Sequence, residues 1–347
     1  MNTIHAPQTG DTTGGGFATL AREIRAAGLL RRRYGYYTVK IIGNLLVFAG
    51  AWVAFAFVGD SWWQLFIAAL LAVTFAQLAF VGHDAGHKQI LQGRRFNDII
   101  GTVHGGLIGM SYETWMSSHN RHHANPNHEE HDPDINSAAL AFTEKQAGLK
   151  NGFLRWVARN QAWLFFPMLV FEGINLHVGG ALAVIRGDVK ARRLEGALLL
   201  THTVLYLAAV FLVLSPGIAV VFIVVHQGLW GIYMGCAFAP NHKGMPTMNG
   251  ENKVDFLRKQ VLTSRNIRGG RVVDFVLGGL NYQIEHHLFP RMPRPNLQHA
   301  QPIVQRFCDT HGIPYSQTTL LRSYRHVLEH LHEMGAPLRE QHARATA

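Results

Sequence analysis

Residues 63–87 contain the stretch that decides the architecture of this 347-residue chain: WQLFIAALLAVTFAQLAFVGHDAGH. It carries no charged side chain before Asp84, and a helix of about 20 apolar residues is long enough to cross the hydrocarbon core of a bilayer. His83 and His87 stand at its end, four positions apart, so on a helix their imidazoles share one face and can reach one metal ion. The stretch predicts a membrane span that ends in metal-binding histidines.

Three further segments are similarly apolar, and each has about 18–22 residues. The predicted spans are 41–58, 63–81, 197–214 and 218–239. The links at 59–61 and 215–217 contain no Lys or Arg, whereas basic residues crowd the opposite ends, as in the run from Arg31 to Lys40. By the positive-inside rule we expect both termini and the long segment 82–195 in the cytoplasm. The predicted fold is an all-α integral membrane protein, with four transmembrane helices in two hairpins and a cytosolic helical cap.

The rest of the chain is divided by its composition. Residues 1–20 are rich in Gly and Thr and lack the apolar segment of a signal peptide, so we expect a disordered tail. Residues 21–310 are predicted to form the membrane domain, and residues 311–347 a cytosolic helical segment. Two apolar stretches, 99–110 and 162–174, are too short or too interrupted to span alone, and we expect re-entrant or interfacial helices there.

Composition also narrows the class of function. The chain is 48% hydrophobic and only 16% charged, contains 21 histidines, and has a formal net charge of +10. Its Lys and Arg residues flank the apolar spans, which indicates membrane topology rather than nucleic-acid binding. Cys236 and Cys308 form no CxxC pair and favour a reduced, cytoplasmic setting. We therefore expect a multi-pass protein that contacts membrane lipid and no nucleic acid.

The histidines are grouped just beyond the predicted spans. Box one is HDAGH (83–87), box two is HNRHH (119–123) and box three is QIEHH (283–287); His242 stands alone after the fourth span. On the predicted topology all these groups lie on the cytoplasmic side. Eight imidazoles exceed what one tetrahedral zinc requires, which indicates two metal ions. Imidazole suits iron, copper, zinc and nickel, so the ligand type alone leaves the metal open.

In this order around paired spans, the three boxes resemble the histidine boxes of membrane fatty-acid desaturases, over about residues 40–310. The resemblance implies four spans and a cytosolic cap in which two irons are bound. The ligands that it implies are His83, His87, His119, His122, His123, His286 and His287, with His242 as the extra histidine after the last span.

Gln283 departs from the commoner HxxHH form of the third box. The QxxHH form resembles a subgroup that includes front-end, linoleoyl-type and related bacterial acyl-CoA desaturases. Gln283 either binds iron directly, binds it through water, or supports the ligands; the sequence leaves these roles open. Residues near the boxes in sequence are expected to orient the imidazoles by hydrogen bonds: Asp84, Asn120, Asp132, Asp134 and Glu285.

The activity that the resemblance implies is O2-dependent desaturation of a fatty-acyl chain, with acyl-CoA favoured over acyl-lipid as the substrate. Two hydrogens leave adjacent methylenes, and the metal centre supplies chemistry that acid–base side chains cannot. Many front-end relatives carry a fused cytochrome b5 with an HPGG motif, which this sequence lacks. We therefore expect electrons from a separate donor, a ferredoxin, a cytochrome b5 or a flavin reductase.

Three other functions compete with desaturation. A lipid hydroxylase, acetylenase or ketolase of the same superfamily would have the same boxes. A histidine-rich metal transporter would place its ligands along the spans, where we instead expect His202 and His226 to make helix–helix hydrogen bonds. A membrane zinc peptidase would need a general-base Glu between its zinc histidines. The HxxEH pattern at 326–330 is expected to be an ordinary surface helix.

Overall fold

The computed structural model describes residues 15–250 and 254–346, and helices dominate these residues. In chain order the helices are α1 (Gly15–Ala26), α2 (Tyr34–Val58), α3 (Gln64–Gly86), α4 (Arg94–Leu107), α5 (Tyr112–Ala124), α6 (Glu144–Gly148), α7 (Gly152–Arg159), α8 (Gln161–Leu169), α9 (Glu172–Arg186), α10 (Arg192–Val213), α11 (Pro216–His242), α12 (Phe256–Leu262), α13 (Arg271–Val276), α14 (Gln283–Leu288), α15 (Arg294–Thr310), α16 (Leu320–Met334) and α17 (Ala336–Thr346). Two 3-10 turns, Pro133–Ile135 and Leu280–Tyr282, and two strands, β1 (Asn266–Arg268) and β2 (Gln317–Thr319), are the other elements.

Four of these helices are long and apolar enough to cross a membrane, namely α2, α3, α10 and α11. Four candidate spans are thereby confirmed at the predicted places, but their boundaries differ: α2 begins at Tyr34 and α10 at Arg192, α3 continues to Gly86 and α11 to His242. A helix satisfies its backbone hydrogen bonds internally, so it can continue past its apolar part into polar residues. His83 and His242 consequently lie inside helices rather than after them.

The two shorter apolar stretches form helices of other kinds. Helices α8 and α9 reach the length and apolarity of a span only as a pair, and this pair is bent by 72°. Helix α4 has 14 residues, or about 21 Å, which is less than the thickness of a bilayer core. It exposes Phe96, Ile99 and Val103 and buries Asn97 and His104. A bent pair and a one-sided amphipathic helix are forms that re-entrant and interfacial segments take.

The chain divides into two compact units, and we call the first, residues 32–119 and 165–237, the span unit. Helix α3 is its central helix, since 61% of the apolar window of α3 is buried against 11% for α2 and for α10. The largest buried side chains of this unit are aromatic: Phe55, Phe75, Phe80, Phe222 and Trp230. Helices α2 and α10 accordingly present most of their apolar surface outward, as lipid-facing helices do.

Two histidines inside the span unit contact polar groups of neighbouring helices. The Tyr206 hydroxyl lies 2.9 Å from His226 Nδ1, and His202 Nδ1 lies 3.0 Å from the Leu107 carbonyl. Because lipid offers no hydrogen-bonding partners, such groups must be satisfied within the bundle. The expectation that the two in-span histidines make helix–helix hydrogen bonds is confirmed for these contacts.

We call the second compact unit, residues 15–31, 120–164 and 238–346, the C-terminal unit. Helices α1, α12, α14 and α15 share its main apolar core, whose buried members include Leu20, Ile24, Leu257, Val261, Ile284, Leu288, Val304 and Phe307. Strands β1 and β2 pair in parallel, with Asn266 opposite Gln317. This short pair departs from the predicted all-α fold, because three residues are too few to leave a strand periodicity in the sequence.

The predicted N-terminal tail falls largely outside the described residues. Residues 1–14 are not described, and the chain forms α1 from Gly15 onward, so the last residues of the predicted tail belong to a helix. At the other end, α16 and α17 lie within the predicted C-terminal helical segment 311–347, which also contains β2.

Candidate metal centre

Three histidines of the C-terminal unit converge from three different helices. His122 lies in α5, His242 is the last residue of α11, and His287 lies in α14. Their Nε2 atoms meet, at 3.3 Å between His122 and His242 and 3.0 Å between His242 and His287. All three side chains are buried. We call this group the histidine trio.

The other ring nitrogen of each trio histidine faces a hydrogen-bond acceptor. His122 Nδ1 lies 3.0 Å from both carboxylate oxygens of Asp132. His242 Nδ1 lies 2.9 Å from the Thr263 carbonyl, and His287 Nδ1 lies 2.9 Å from Gln260 Oε1. These acceptors hold a proton on each Nδ1, so the lone pair of each neutral imidazole is on Nε2.

The trio therefore fits a metal cation. Three Nε2 lone pairs directed at one point repel each other unless a positive charge lies between them, and an acceptor behind each Nδ1 is the usual support of a metal-bound histidine. With metal–nitrogen bonds of about 2.1 Å, neighbouring ligand nitrogens are about 3.0 Å apart in octahedral and about 3.4 Å apart in tetrahedral geometry. The distances of 3.0 Å and 3.3 Å lie in this range.

Asp132 is the most heavily bonded of these acceptors. Its carboxylate also accepts from the backbone amides of Asn127, at 2.7 Å, and Asp134, at 2.9 Å, and it is buried. Burial alone would lower the pKa of His122, but the carboxylates of Asp134 and Asp132 outweigh it and raise that pKa. A more basic imidazole is a stronger metal ligand, so the aspartates strengthen His122 in that role.

Gln283 adds an amide to the trio. Its Nε2 lies 2.8 Å from His242 Nε2, and its Oε1 lies 3.4 Å from Asn241 Nδ2. Rotating the amide by 180° brings Oε1 to the side of the trio at no cost in shape. Amide oxygen is a metal-ligand atom, and the side chain is therefore within reach of the metal position that the trio defines.

Two more box histidines of the C-terminal unit lie beside the trio. His286 Nε2 is 3.1 Å from His123 Nε2, and the His123 ring stacks on that of His287 with centroids 4.1 Å apart. Boxes two and three are thus brought together, although more than 150 residues separate them in sequence.

The span unit carries its own group, His83, His87 and His119. His87 Nε2 lies 2.8 Å from His119 Nε2, and one ring nitrogen of each histidine lies within 4.8 Å of the others. The Trp115 ring stacks on His119 with centroids 4.6 Å apart. Asp84, predicted to orient a histidine, has Oδ1 3.3 Å from His83 Nδ1.

Close packing of α3 and α5 makes this second group possible. A Cβ atom at Gly86, the fourth residue of box one, would lie 2.2 Å from Met116 Sδ and 3.2 Å from the Trp115 ring. Only a residue without a side chain allows the two helices to approach this closely without displacing Met116. The glycine of HDAGH therefore has a packing role.

Glu285 lies in box three, but its carboxylate points away from the histidines. It accepts from Asn266 Nδ2 and from the Tyr315 hydroxyl, both at 2.7 Å. Burial raises the pKa of Glu285 to about 7, although these hydrogen bonds oppose the shift. Glu285 thus links α14 to β1 and to Tyr315. Asn120, another residue predicted to orient an imidazole, is exposed.

Sequence reasoning missed Gln260 and Thr263. Both lie more than 20 residues from the histidines that they face, outside every box, and Thr263 acts through its backbone carbonyl. No residue type or spacing marks such a contact in advance.

The HxxEH segment forms part of α16, and His330 Nε2 lies 3.0 Å from the Phe142 carbonyl.

Comparison with known families gives the class of protein. The family model described as "Fatty acid desaturase" matches residues 60–319, a region that includes all three boxes, His242 and the three acceptor residues Asp132, Gln260 and Thr263. The chain belongs to the fatty acid desaturase family, as the boxes predicted, and with its four candidate spans it is an integral membrane protein.

The chain is also similar to individual desaturases of other organisms. The chain is 30% identical to an acyl-lipid (9-3)-desaturase of Physcomitrium patens, over 93% of this chain and 64% of the relative. It is 28% identical to a Delta(6)-fatty-acid desaturase of Caenorhabditis elegans, over 92% and 74%. It is also 28% identical to a Delta 8-(E)-sphingolipid desaturase of Kluyveromyces lactis, over 92% and 59%. The chain thus spans about two thirds of the length of these relatives.

Proposed function

We propose that this protein introduces a C=C bond into a fatty-acyl chain at a histidine-bound di-iron centre. The observation that carries the proposal is the trio, in which three buried imidazoles present Nε2 to one point while an acceptor holds each Nδ1. Family membership supplies the reaction class. The net reaction removes one hydrogen from each of two adjacent methylenes and, with two electrons and two protons, reduces O2 to two waters.

The proposed ligands are the eight histidines that the boxes and His242 provide. His122, His242 and His287 hold one iron; the other ligands are His83, His87, His119, His123 and His286. When bound, the metal centre supplies the oxidising chemistry that breaks unactivated C–H bonds. The chain's own residues fix the imidazoles: Asp132, Gln260 and the Thr263 carbonyl retain the Nδ1 protons, which keeps every Nε2 lone pair available.

We further propose that Gln283 is a fourth donor beside the trio, through Oε1. The 2.8 Å contact of its amide with His242 Nε2 supports this role. Replacing Gln283 with His, which supplies a ligand nitrogen, is expected to retain iron, whereas Gln283→Leu is expected to lose it. Equal iron content in both variants would exclude a ligand role for Gln283.

Two substrate carriers are open to the proposed desaturase. The sequence favoured acyl-CoA, whereas the relatives include an acyl-lipid and a sphingolipid desaturase. Supplying the purified protein with a matched acyl-CoA and acyl-phospholipid distinguishes the two. We propose a separate electron donor, a ferredoxin, cytochrome b5 or flavin reductase, and an active site and both termini on the cytoplasmic side, as the basic flanks of the spans indicate.

The first experiment is to purify the protein in detergent from iron-replete cells and count metals per chain. About two irons are expected, together with an unsaturated product when substrate, O2 and a reducing system are added. A hydroxylated product would favour the lipid hydroxylase alternative. One zinc and no iron would overturn the di-iron assignment.

A further inference from the structure

A single glutamine outside the boxes connects two of them. Gln260 is fully buried on α12, and its amide makes two hydrogen bonds in the C-terminal unit. Oε1 accepts from His287 Nδ1 at 2.9 Å, and Nε2 donates to the backbone carbonyl of His123 at 3.0 Å. One side chain thus touches a ligand of box three and the main chain of box two.

The neighbouring residues hold this glutamine against α5. Lys259 Nζ donates to the Ala124 carbonyl at 2.8 Å, so Lys259 and Gln260 together satisfy two carbonyls in the last turn of α5. These are carbonyls that a helix leaves without an internal partner. Asp255 begins α12 by accepting from the Arg258 amide at 3.0 Å, which is a side-chain N-cap. Helix α12 is therefore a short helix with a side-chain N-cap, and its side chains donate hydrogen bonds to the last turn of α5.

A neutral side-chain amide meets both demands on Gln260. His287 Nδ1–H needs an acceptor, and the His123 carbonyl needs a donor; an amide offers both. Glutamate offers the acceptor alone, and methionine, of similar length, offers neither in comparable strength. Gln260→Glu consequently removes the bond to the His123 carbonyl alone, whereas Gln260→Met removes both bonds.

Charge distinguishes Gln260 from the acceptor behind His122. His122 faces the Asp132 carboxylate, whereas His287 faces a neutral amide and His242 a neutral carbonyl. A carboxylate behind an imidazole makes that imidazole a stronger donor to its metal. In the trio, His122 is therefore a stronger electron donor than His242 and His287. The residue at position 260 determines whether His287 also faces a charged acceptor.

We propose that Gln260 is a positioning residue of the metal centre. It fixes the Nδ1 proton and the ring orientation of His287, and it provides an acceptor that carries no charge. This inference rests on the proposed function, because it assumes that the trio holds iron. Its consequence is that metal retention depends on the acceptor at position 260, and the reduction potential on its charge.

The test compares Gln260→Glu, Gln260→Met and a matched control, Gln298→Met, with the wild-type protein. Gln298 is exposed on α15 and contacts no box histidine. Each protein is purified with iron in detergent, and four quantities are measured: iron per chain, the rate of iron loss to a chelator, the reduction potential, and the thermal unfolding midpoint.

Gln260→Met is expected to lose iron about tenfold faster or more, the usual effect of removing such a support. Gln260→Glu is expected to retain iron within about threefold of wild type, since the acceptor remains, and to shift the reduction potential downward because a negative charge has been added. Gln298→Met should match wild type in every measurement.

Two results would overturn the inference while leaving the proposed function intact. One is wild-type iron retention in Gln260→Met. The other is equal loss of iron in Gln260→Glu and Gln260→Met, which would assign the effect to the Nε2 bond with the His123 carbonyl and so to a purely structural role. If the wild-type protein itself binds no iron, the proposed function fails first, and the two failures are thereby distinguished.

Discussion

The two units hold their histidines by different means. In the span unit, His83 lies in the last turn of α3 and His87 directly follows it, and α5 brings His119 against them by close packing at Gly86. In the C-terminal unit, the trio comes from three helices, and each imidazole is held by an acceptor from a distant segment. Helical spacing orients ligands that lie one turn apart, whereas ligands from separate elements need hydrogen bonds to fix them.

The largest expected effect comes from removing the central ligand of the trio. His242→Ala deletes the Nε2 that lies 3.3 Å and 3.0 Å from its two neighbours. We expect product formation to fall by more than about 100-fold, since even the loss of a supporting group costs about 10- to 100-fold, and iron to fall by about one per chain. Elemental analysis and gas chromatography of the acyl products measure both quantities. Two irons and normal turnover in this variant would remove His242 from the ligand set.

A pair of aspartate variants compares the two units directly. Asp132→Asn removes the carboxylate that accepts from His122 and from two backbone amides, and we expect iron affinity to fall by about 10-fold or more. Asp84→Asn changes a longer contact, 3.3 Å to the adjacent His83, and should cost less than about threefold. Chelator competition on both proteins gives the ratio. If Asp84→Asn lowered iron affinity more than Asp132→Asn, hydrogen-bond acceptors would matter more for the histidines of the span unit than for the trio.

The same difference explains what the sequence predicted and what it could not. The spans follow from apolar length, and boxes one to three follow from histidine spacing, because both signals are local. Gln260, Thr263 and strand β1 have no local signal, because their partners are distant in sequence: Gln260 contacts α5 and α14, Thr263 contacts α11, and β1 pairs with β2. Gly86 was visible in HDAGH, but its role depends on Met116 of another helix.

Helix ends were predicted less well than helix existence, for a related reason. The apolar runs end at about residues 81 and 239, whereas the α3 and α11 backbones continue to Gly86 and His242. The boundary of a helix depends on capping and tertiary contacts as well as on composition. Glu285 illustrates the limit for the site: proximity to His286 suggested that it orients a ligand, but its partners are Asn266 and Tyr315.

Glu285 gives a smaller, pH-dependent effect on the C-terminal unit. Its pKa is raised by burial to about 7, above the usual value of about 4.3. A carboxyl whose pKa is higher in the folded protein adds stability at low pH, and this stability is lost as pH rises through about 7. The apparent Tm of the wild type should therefore fall relative to that of Glu285→Gln between pH 5 and pH 8. Parallel Tm curves for the two proteins would show that Glu285 does not titrate in this range.

The smallest effect is expected at the packing contact of the span unit. In Gly86→Ala the added Cβ would lie 2.2 Å from Met116 Sδ. The methionine side chain is flexible, however, and can move aside. We expect less than about threefold faster iron loss, measured by chelator competition, because small overpacking at a flexible neighbour is tolerated better than in a rigid core. The double variant Gly86→Ala with Met116→Ala should restore the wild-type rate. If the double variant failed to restore the rate, the Trp115 ring, 3.2 Å from the same Cβ, would set the spacing of α3 and α5. The stacked Trp115–His119 pair would then be the contact that supports the span-unit histidines.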